Sequence, residues 1–160
     1  TSRVELLMRD FRLIIVSIIC VMMIGVTGAY ADSIENKLDE LITDGRSSCD
    51  GSFTLLDGAV ERIDLNLDDE IDLVVLDAGG FSCDESTSMY CGSAGCVVHF
   101  ITSADYSYGY TRGWQIVRTK SDQPVILFEL HGVSCGEAGT TPCYSAVSIF
   151  EGRFIGRARS

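Results

Sequence analysis

An α+β to mainly β domain, with one N-terminal helix packed on an antiparallel sheet and stapled by disulfides, is the architecture this sequence predicts. Three observations carry it. A single amphipathic helical stretch follows an apolar N-terminal run. Short strand-like segments between turn residues fill the chain after it. Six cysteines are spread through that second part.

The helix is expected from Ser33 to Asp44. Ile34, Leu38, Leu41 and Ile42 stand at i, i+4, i+7 and i+8 and form one apolar face. Asp32 is placed to cap it, Glu35 three residues on completes a capping box, and Gly45 suits the stop. Strands are expected at Ala59–Asp64, Ile71–Asp77, Cys96–Thr102, Tyr106–Tyr110, Trp114–Arg118, Val125–Leu130, Tyr144–Phe150 and Arg153–Ile155. Glu151-Gly152 reads as a tight hairpin turn between the last two. No long helical pattern separates the strands, so the sheet is expected to be mainly antiparallel.

Residues 1–31 read as a signal peptide. Leu13 to Val26 is a run of fourteen residues interrupted only by Ser17 and Gly25. A bilayer-spanning helix needs about 20 apolar residues, so the run is short for an anchor and suits a signal core. Arg9 and Arg12 precede it, and Ala29-Tyr30-Ala31 offers the small-x-small pattern of a cleavage site. Met8, which opens MRDFR directly before the core, is the expected initiator. Ile19 before Cys20 argues against lipidation. A single extracytoplasmic domain, 32–160, is expected to remain, with no stable membrane insertion after cleavage.

The whole chain carries a formal charge of −11. Residues 1–31 hold three basic and two acidic side chains, so the remainder carries −12. The acids concentrate in the first half, with 17 acids and 3 bases over residues 32–105. Such a surface argues against nucleic acid or an anionic membrane as partner, because phosphates require basic groups. It suits metal ions, a cationic protein or another envelope component.

The cysteines beyond the signal are Cys49, Cys83, Cys91, Cys96, Cys135 and Cys143. An even number in an exported chain reads as a disulfide framework in a periplasmic or secreted setting. Six cysteines allow fifteen pairings. Local spacing favours Cys135–Cys143 around GEAGTTP and Cys91–Cys96 around GSAG, with Cys49–Cys83 completing one set. Zinc is disfavoured, because the chain has no CxxC pair and only two histidines.

The most informative stretch is Asp64-Leu65-Asn66-Leu67-Asp68-Asp69-Glu70-Ile71-Asp72, followed by Leu73-Val74-Val75-Leu76. Asp64, Asn66, Asp68 and Asp72 place side-chain oxygens at positions 1, 3, 5 and 9, and Glu70 offers a backbone carbonyl at position 7. Oxygen donors at such spacing are how a short turn surrounds a hard cation such as calcium. Val75 stands where an EF-hand requires its bidentate glutamate, so this is no EF-hand. The stretch resembles the D-x-N-x-D-G-x-x-D-L-V-V loop of FG-GAP repeats, the calcium-bearing strand–loop–strand units of integrin-type β-propellers. The resemblance covers Asp64 to Leu76 and implies a calcium-binding turn. Leu67 and Asp69 stand where the family has glycine. A propeller needs several blades, which one motif does not supply. The order of this loop, then FxCxxxxxxxCGSAGC, then LHGxxCGxxGxxPC is similar to exported, cysteine-rich proteins of Gram-negative bacteria. That likeness implies export and a cysteine framework and carries no activity.

Catalytic material is sparse. His99 lies inside an apolar strand and reads as a packed histidine. His131 opens HGVSCGEAG beside Ser134 and Cys135, and a Cys–His nucleophile pair there requires Cys135 to be free. Glu129 and the Asp64–Asp72 stretch could supply paired carboxylates for glycoside cleavage, but nothing in their spacing singles them out. Tyr106, Tyr108, Tyr110 and Trp114 would share one face if a single strand ran through them, although Gly109 and Gly113 allow a bend. The expected function is therefore a non-enzymatic, calcium-stabilised binding module of the cell envelope or secreted space. The alternatives are an inhibitor of a cationic envelope enzyme such as lysozyme, and a small exported hydrolase using His131.

Overall fold

A computed structural model describes residues 32–84 and 89–156. The expected signal segment 1–31 lies outside the described residues.

Helix α1 covers 32–47 and is followed by eleven strands. These are β1 (Phe53–Leu55), β2 (Val60–Ile63), β3 (Leu73–Asp77), β4 (Phe81–Cys83), β5 (Cys91–Gly92), β6 (Gly95–Ile101), β7 (Tyr106–Thr111), β8 (Gly113–Arg118), β9 (Pro124–Leu130), β10 (Cys143–Phe150) and β11 (Arg153–Ile155). Every pairing is antiparallel. One sheet runs β2-β3-β6-β5 with β7 also paired to β6, a second runs β11-β10-β9-β8, and β1-β4 forms a small ribbon.

The layers follow from the period-two alternation of β3 and β6. Val74, Leu76 and Ile101 turn to one face and pack with Ile34 and Leu38 of α1 and Phe81 of β4. Leu73, Val75, Val98 and Phe100 turn to the other and pack with Ile126, Val147, Ile149 and Phe154 of the second sheet. Helix, first sheet and second sheet are thus stacked, and LVVL is apolar throughout because both faces of β3 are covered. Two buried threonines fasten the sheets at their polar points. Thr111 Oγ1 donates to Glu129 O at 2.8 Å, and Thr102 Oγ1 bonds to Gly152 O. Among the described residues no buried side-chain N or O lacks a partner.

The eight expected strands are all present, each within about two residues of its expected limits. The chain adds β1, β4 and β5, and the strands divide into three sheets where one was expected. The hairpin at Glu151-Gly152 forms as expected, with φ of 48° and 68°, the left-handed pair that suits a two-residue turn. The cysteines pair as Cys49–Cys83, Cys91–Cys96 and Cys135–Cys143.

Two expectations about α1 are corrected. Asp32 and Glu35 do not form a capping box: Asp32 is already helical, and Glu35 takes a bidentate bond from Arg62 of β2 at 2.9 and 2.8 Å. Gly45 does not stop the helix, which continues to residue 47, where Ser47 and Ser48 hydroxyls donate to Asp44 O at 2.9 Å. Gly45 is buried, and a Cβ there would overlap the Phe81 ring. Its role is to let the helix approach β4. Alanine in a helix interior ordinarily stabilises by about 1 kcal/mol over glycine. Here overpacking should win, and Gly45→Ala is expected to destabilise by about 1–3 kcal/mol in urea unfolding. A gain in stability would show that the contact relaxes freely.

Candidate functional site

The acidic loop spans residues 64–72 between β2 and β3, and its neck is built before its tip. Asp72 N donates to Ile63 O at 3.1 Å, and Leu65 N donates to Asp72 Oδ2 at 2.8 Å. Leu65 is buried in the core between the sheets, and Arg118 Nη2 of β8 donates to Leu65 O at 2.6 Å. Leu65 and Arg118 therefore pin the loop to both sheets.

Above this neck the chain winds around Asp64. Asp64 Oδ1 accepts from the backbone N–H groups of Asn66 at 3.1 Å, Leu67 at 2.6 Å and Asp68 at 3.3 Å, while Oδ2 accepts from Asp69 at 2.8 Å. Asn66 Oδ1 accepts from Asp68 N at 3.0 Å, and Asp68 Oδ1 from Glu70 N at 2.9 Å. Asn66 Nδ2 donates to Asp68 Oδ2 at 2.9 Å. Desolvation works against ionisation of Asp64, but the N–H groups of Asp69, Leu67, Asn66 and Asp68 hold its carboxyl below the ordinary carboxylate value. The winding requires left-handed backbone at Leu67, φ 64°, and Asp69, φ 68°. Leucine there carries a conformational cost of about 1–2 kcal/mol, and its side chain is 80 % exposed.

The loop thus brings Asp64, Asn66 and Asp68 into one bonded set and places Asp72 at the neck, while Glu70 joins through its backbone N–H. Among the described residues, no three His, Cys, Asp or Glu side chains stand close enough to share an ion as placed. The donors are hard oxygens, the type calcium takes. Asp64 Oδ1 is saturated by its three N–H donors, whereas Asp64 Oδ2, Asn66 Oδ1 and both Asp68 oxygens each accept one and keep a second lone pair. Asp64, Asn66, Asp68 and Asp72 are thus the loop's hard-oxygen side chains, and Glu70 adds a backbone carbonyl to the same turn.

The other candidates are placed apart. Cys135 is bonded to Cys143, so His131 has no thiol to activate. His131 instead packs on Gly139, where a Cβ would overlap its ring. Glu129 pairs with Gly113 at the start of β8, whereas the loop touches Arg118 at the other end of that strand. Five residues at about 3.3 Å each separate these ends, so Glu129 does not join the acidic loop.

His99 lies on the helix-facing side of β6. A 2.8 Å hydrogen bond joins its Nδ1 to the Tyr106 hydroxyl, and its ring lies against Tyr106 and Tyr108 at centroid distances of 6.0 and 5.9 Å. Burial, then the Lys37 charge, push its imidazole below the ordinary histidine value. Burial, then Tyr108 and Glu40, push the Tyr106 phenol up to about 12. Lys37 of α1 sits over the Tyr106 ring at 4.8 Å. Tyr108 and Tyr110 are exposed on β7, but Trp114 is not part of their strip. The chain crosses to the second sheet at Arg112-Gly113, and Trp114 packs edge-on against Phe100 between the sheets at 5.7 Å.

Sequence reasoning missed Arg118 and the Glu35–Arg62 tie, because a lone arginine at a strand end carries no local signal. Among the described residues no helix is long and apolar enough to cross a membrane. No family model, curated protein or solved structure matches the chain.

Proposed function

We propose that the domain is a non-enzymatic interaction module of the periplasm or secreted space, stabilised by calcium in the loop of residues 64–72. The observation that carries the reading is the course of that loop. Asp64, Asn66 and Asp68 gather around one turn, Asp72 closes its neck, and two non-glycine residues hold left-handed backbone. Three disulfides in a chain of this size agree with work in an oxidising compartment. The bridging of Cys135 favours a binding role over a thiol hydrolase.

Calorimetric titration tests the metal site directly. Calcium is expected to bind with Kd of about 10⁻⁴ to 10⁻³ M, the range of extracellular modules, and magnesium more weakly because it demands a tighter octahedron. Asp64→Ala and Asp68→Ala are each expected to abolish the heat, whereas Asp57→Ala outside the loop leaves it unchanged. Equal binding by all three variants would place the ion elsewhere.

A further inference from the structure

The two stacked sheets end side by side at β2 and β8, each the terminal strand of its sheet. Between them lies a groove of about 550 Å³ lined by Glu61 and Ile63 of β2, Asp77 at the end of β3, and Trp114, Gln115 and Ile116 of β8. A smaller cavity of about 240 Å³ continues it past Asp77 and Trp114 towards Arg112. We propose that this groove binds an extended, basic peptide segment of a partner protein as an added β-strand.

Three features select that occupant. The first is open backbone on β2. Ile63 O accepts from Asp72 N, and Ala59 O accepts from Asp77 N. Residues 59, 61 and 63 therefore address β3, and Val60 and Arg62 turn their backbone N–H and C=O to the open edge. An exposed edge of this kind takes an extended chain through main-chain hydrogen bonds. The second is charge. Glu61 and Asp77 put two carboxylates on one groove, and among the described residues neither forms an ion pair. Asp77 Oδ1 accepts from Gly79 N at 2.8 Å, which fixes the carboxylate's direction. Arg112, at the far end, is held to Ser93 O at 3.1 Å. The third is alternation. Trp114, Ile63 and Ile116 give apolar ground beside the carboxylates, so basic side chains that one face of the added strand turns into the groove meet carboxylates for their charges and apolar surface for their stems. The proposal rests on the reading of this domain as a binding module, but it uses none of the acidic loop's residues.

Trp114 is the only tryptophan of the chain and lines the groove, so its emission responds to an occupant there. The probe is a nine-residue peptide of alternating lysine and valine, with its glutamate–valine counterpart and a backbone N-methylated form as comparisons. The lysine peptide is expected to give a saturable change in Trp114 emission that weakens with salt. The other two are expected to give none. The double variant Glu61→Gln/Asp77→Asn, which keeps side-chain shape and the Gly79 contact, should weaken binding about tenfold or more, a loss of about 1.4 kcal/mol or more. Full affinity in the double variant, or no emission change in the parent, would overturn the proposal. So would a saturable response to cellohexaose without one to the peptide, which would mark a saccharide groove. Each titration is run in millimolar calcium and in chelator. Peptide binding that survives chelation leaves the groove standing whatever the metal result. Calcium-dependent stabilisation without peptide binding removes the groove alone.

Discussion

Replacing Cys49 and Cys83 together by serine is expected to lower stability by about 4 kcal/mol, the largest loss for any of the three bridges. In the chain-entropy account a cross-link restricts the unfolded chain more as its loop lengthens. This bridge closes 34 residues, against 8 for Cys135–Cys143 and 5 for Cys91–Cys96. The same relation gives only about 2 kcal/mol for the two short loops. The bridge also ties the segment after α1 to β4, whose Phe81 packs against that helix. With total stabilities of about 5–15 kcal/mol for domains of this kind, the double variant should be close to unfolding at physiological temperature. Urea unfolding of the three paired cysteine variants reads this directly. A loss no larger than for the short loops would show that contacts made by α1 already constrain that segment in the unfolded ensemble.

Phe100→Ala is expected to be as damaging, by about 3–5 kcal/mol. Phe100 is 2 % exposed and stands where the two sheets meet. Its ring makes edge-to-face contacts with Trp114 at 5.7 Å and Phe128 at 5.1 Å. Truncation removes both contacts and leaves a cavity that paired strands on either side cannot close. Tyr108→Ala, at a ring 67 % exposed on β7, is the matched control and should stay within about 0.5 kcal/mol. Urea unfolding compares the two, and Trp114 emission should move to the red in the Phe100 variant alone. A loss below 1 kcal/mol at Phe100 would mean that the sheets do not depend on this contact.

The elements read correctly from sequence are those whose signal is local. The helix face shows itself because Ile34, Leu38, Leu41 and Ile42 repeat with the helical period, and all four pack where that period places them. The long strands show themselves by composition, and the hairpin at Glu151-Gly152 by its turn residues. Local spacing favours two of the disulfides, Cys91–Cys96 and Cys135–Cys143, while Cys49–Cys83, 34 residues apart, only completes the set. What was not legible depends on distant partners. β1, β4 and β5 are two or three residues long, too short to display a period. Gly45 looks like a stop because nothing local announces the Phe81 ring that requires it. Glu35 looks like half of a capping box because Arg62 is 27 residues away. Tyr106 and Trp114 look like one strip, since the crossing between sheets at Arg112-Gly113 is set by Thr111 bonding to Glu129. Within the acidic loop the oxygen donors were evident from spacing, while the Leu65–Arg118 anchor was not.

The most direct measurement of the account is thermal unfolding of residues 32–160 in millimolar calcium and in chelator. Without a cation, the Asp64 and Asp68 carboxylates share one short turn, opposed by backbone N–H groups and the Asn66 amide. An ion that binds only the folded loop stabilises it by RT ln(1 + [L]/Kd), about 2.7 kcal/mol at a hundredfold excess over Kd and less where calcium only matches Kd. The account predicts a melting temperature that rises with calcium, rises less with magnesium, and no longer responds in Asp64→Ala or Asp68→Ala. Identical melting in calcium and in chelator would contradict it, and the loop would then be a solvated turn held by its own side chains.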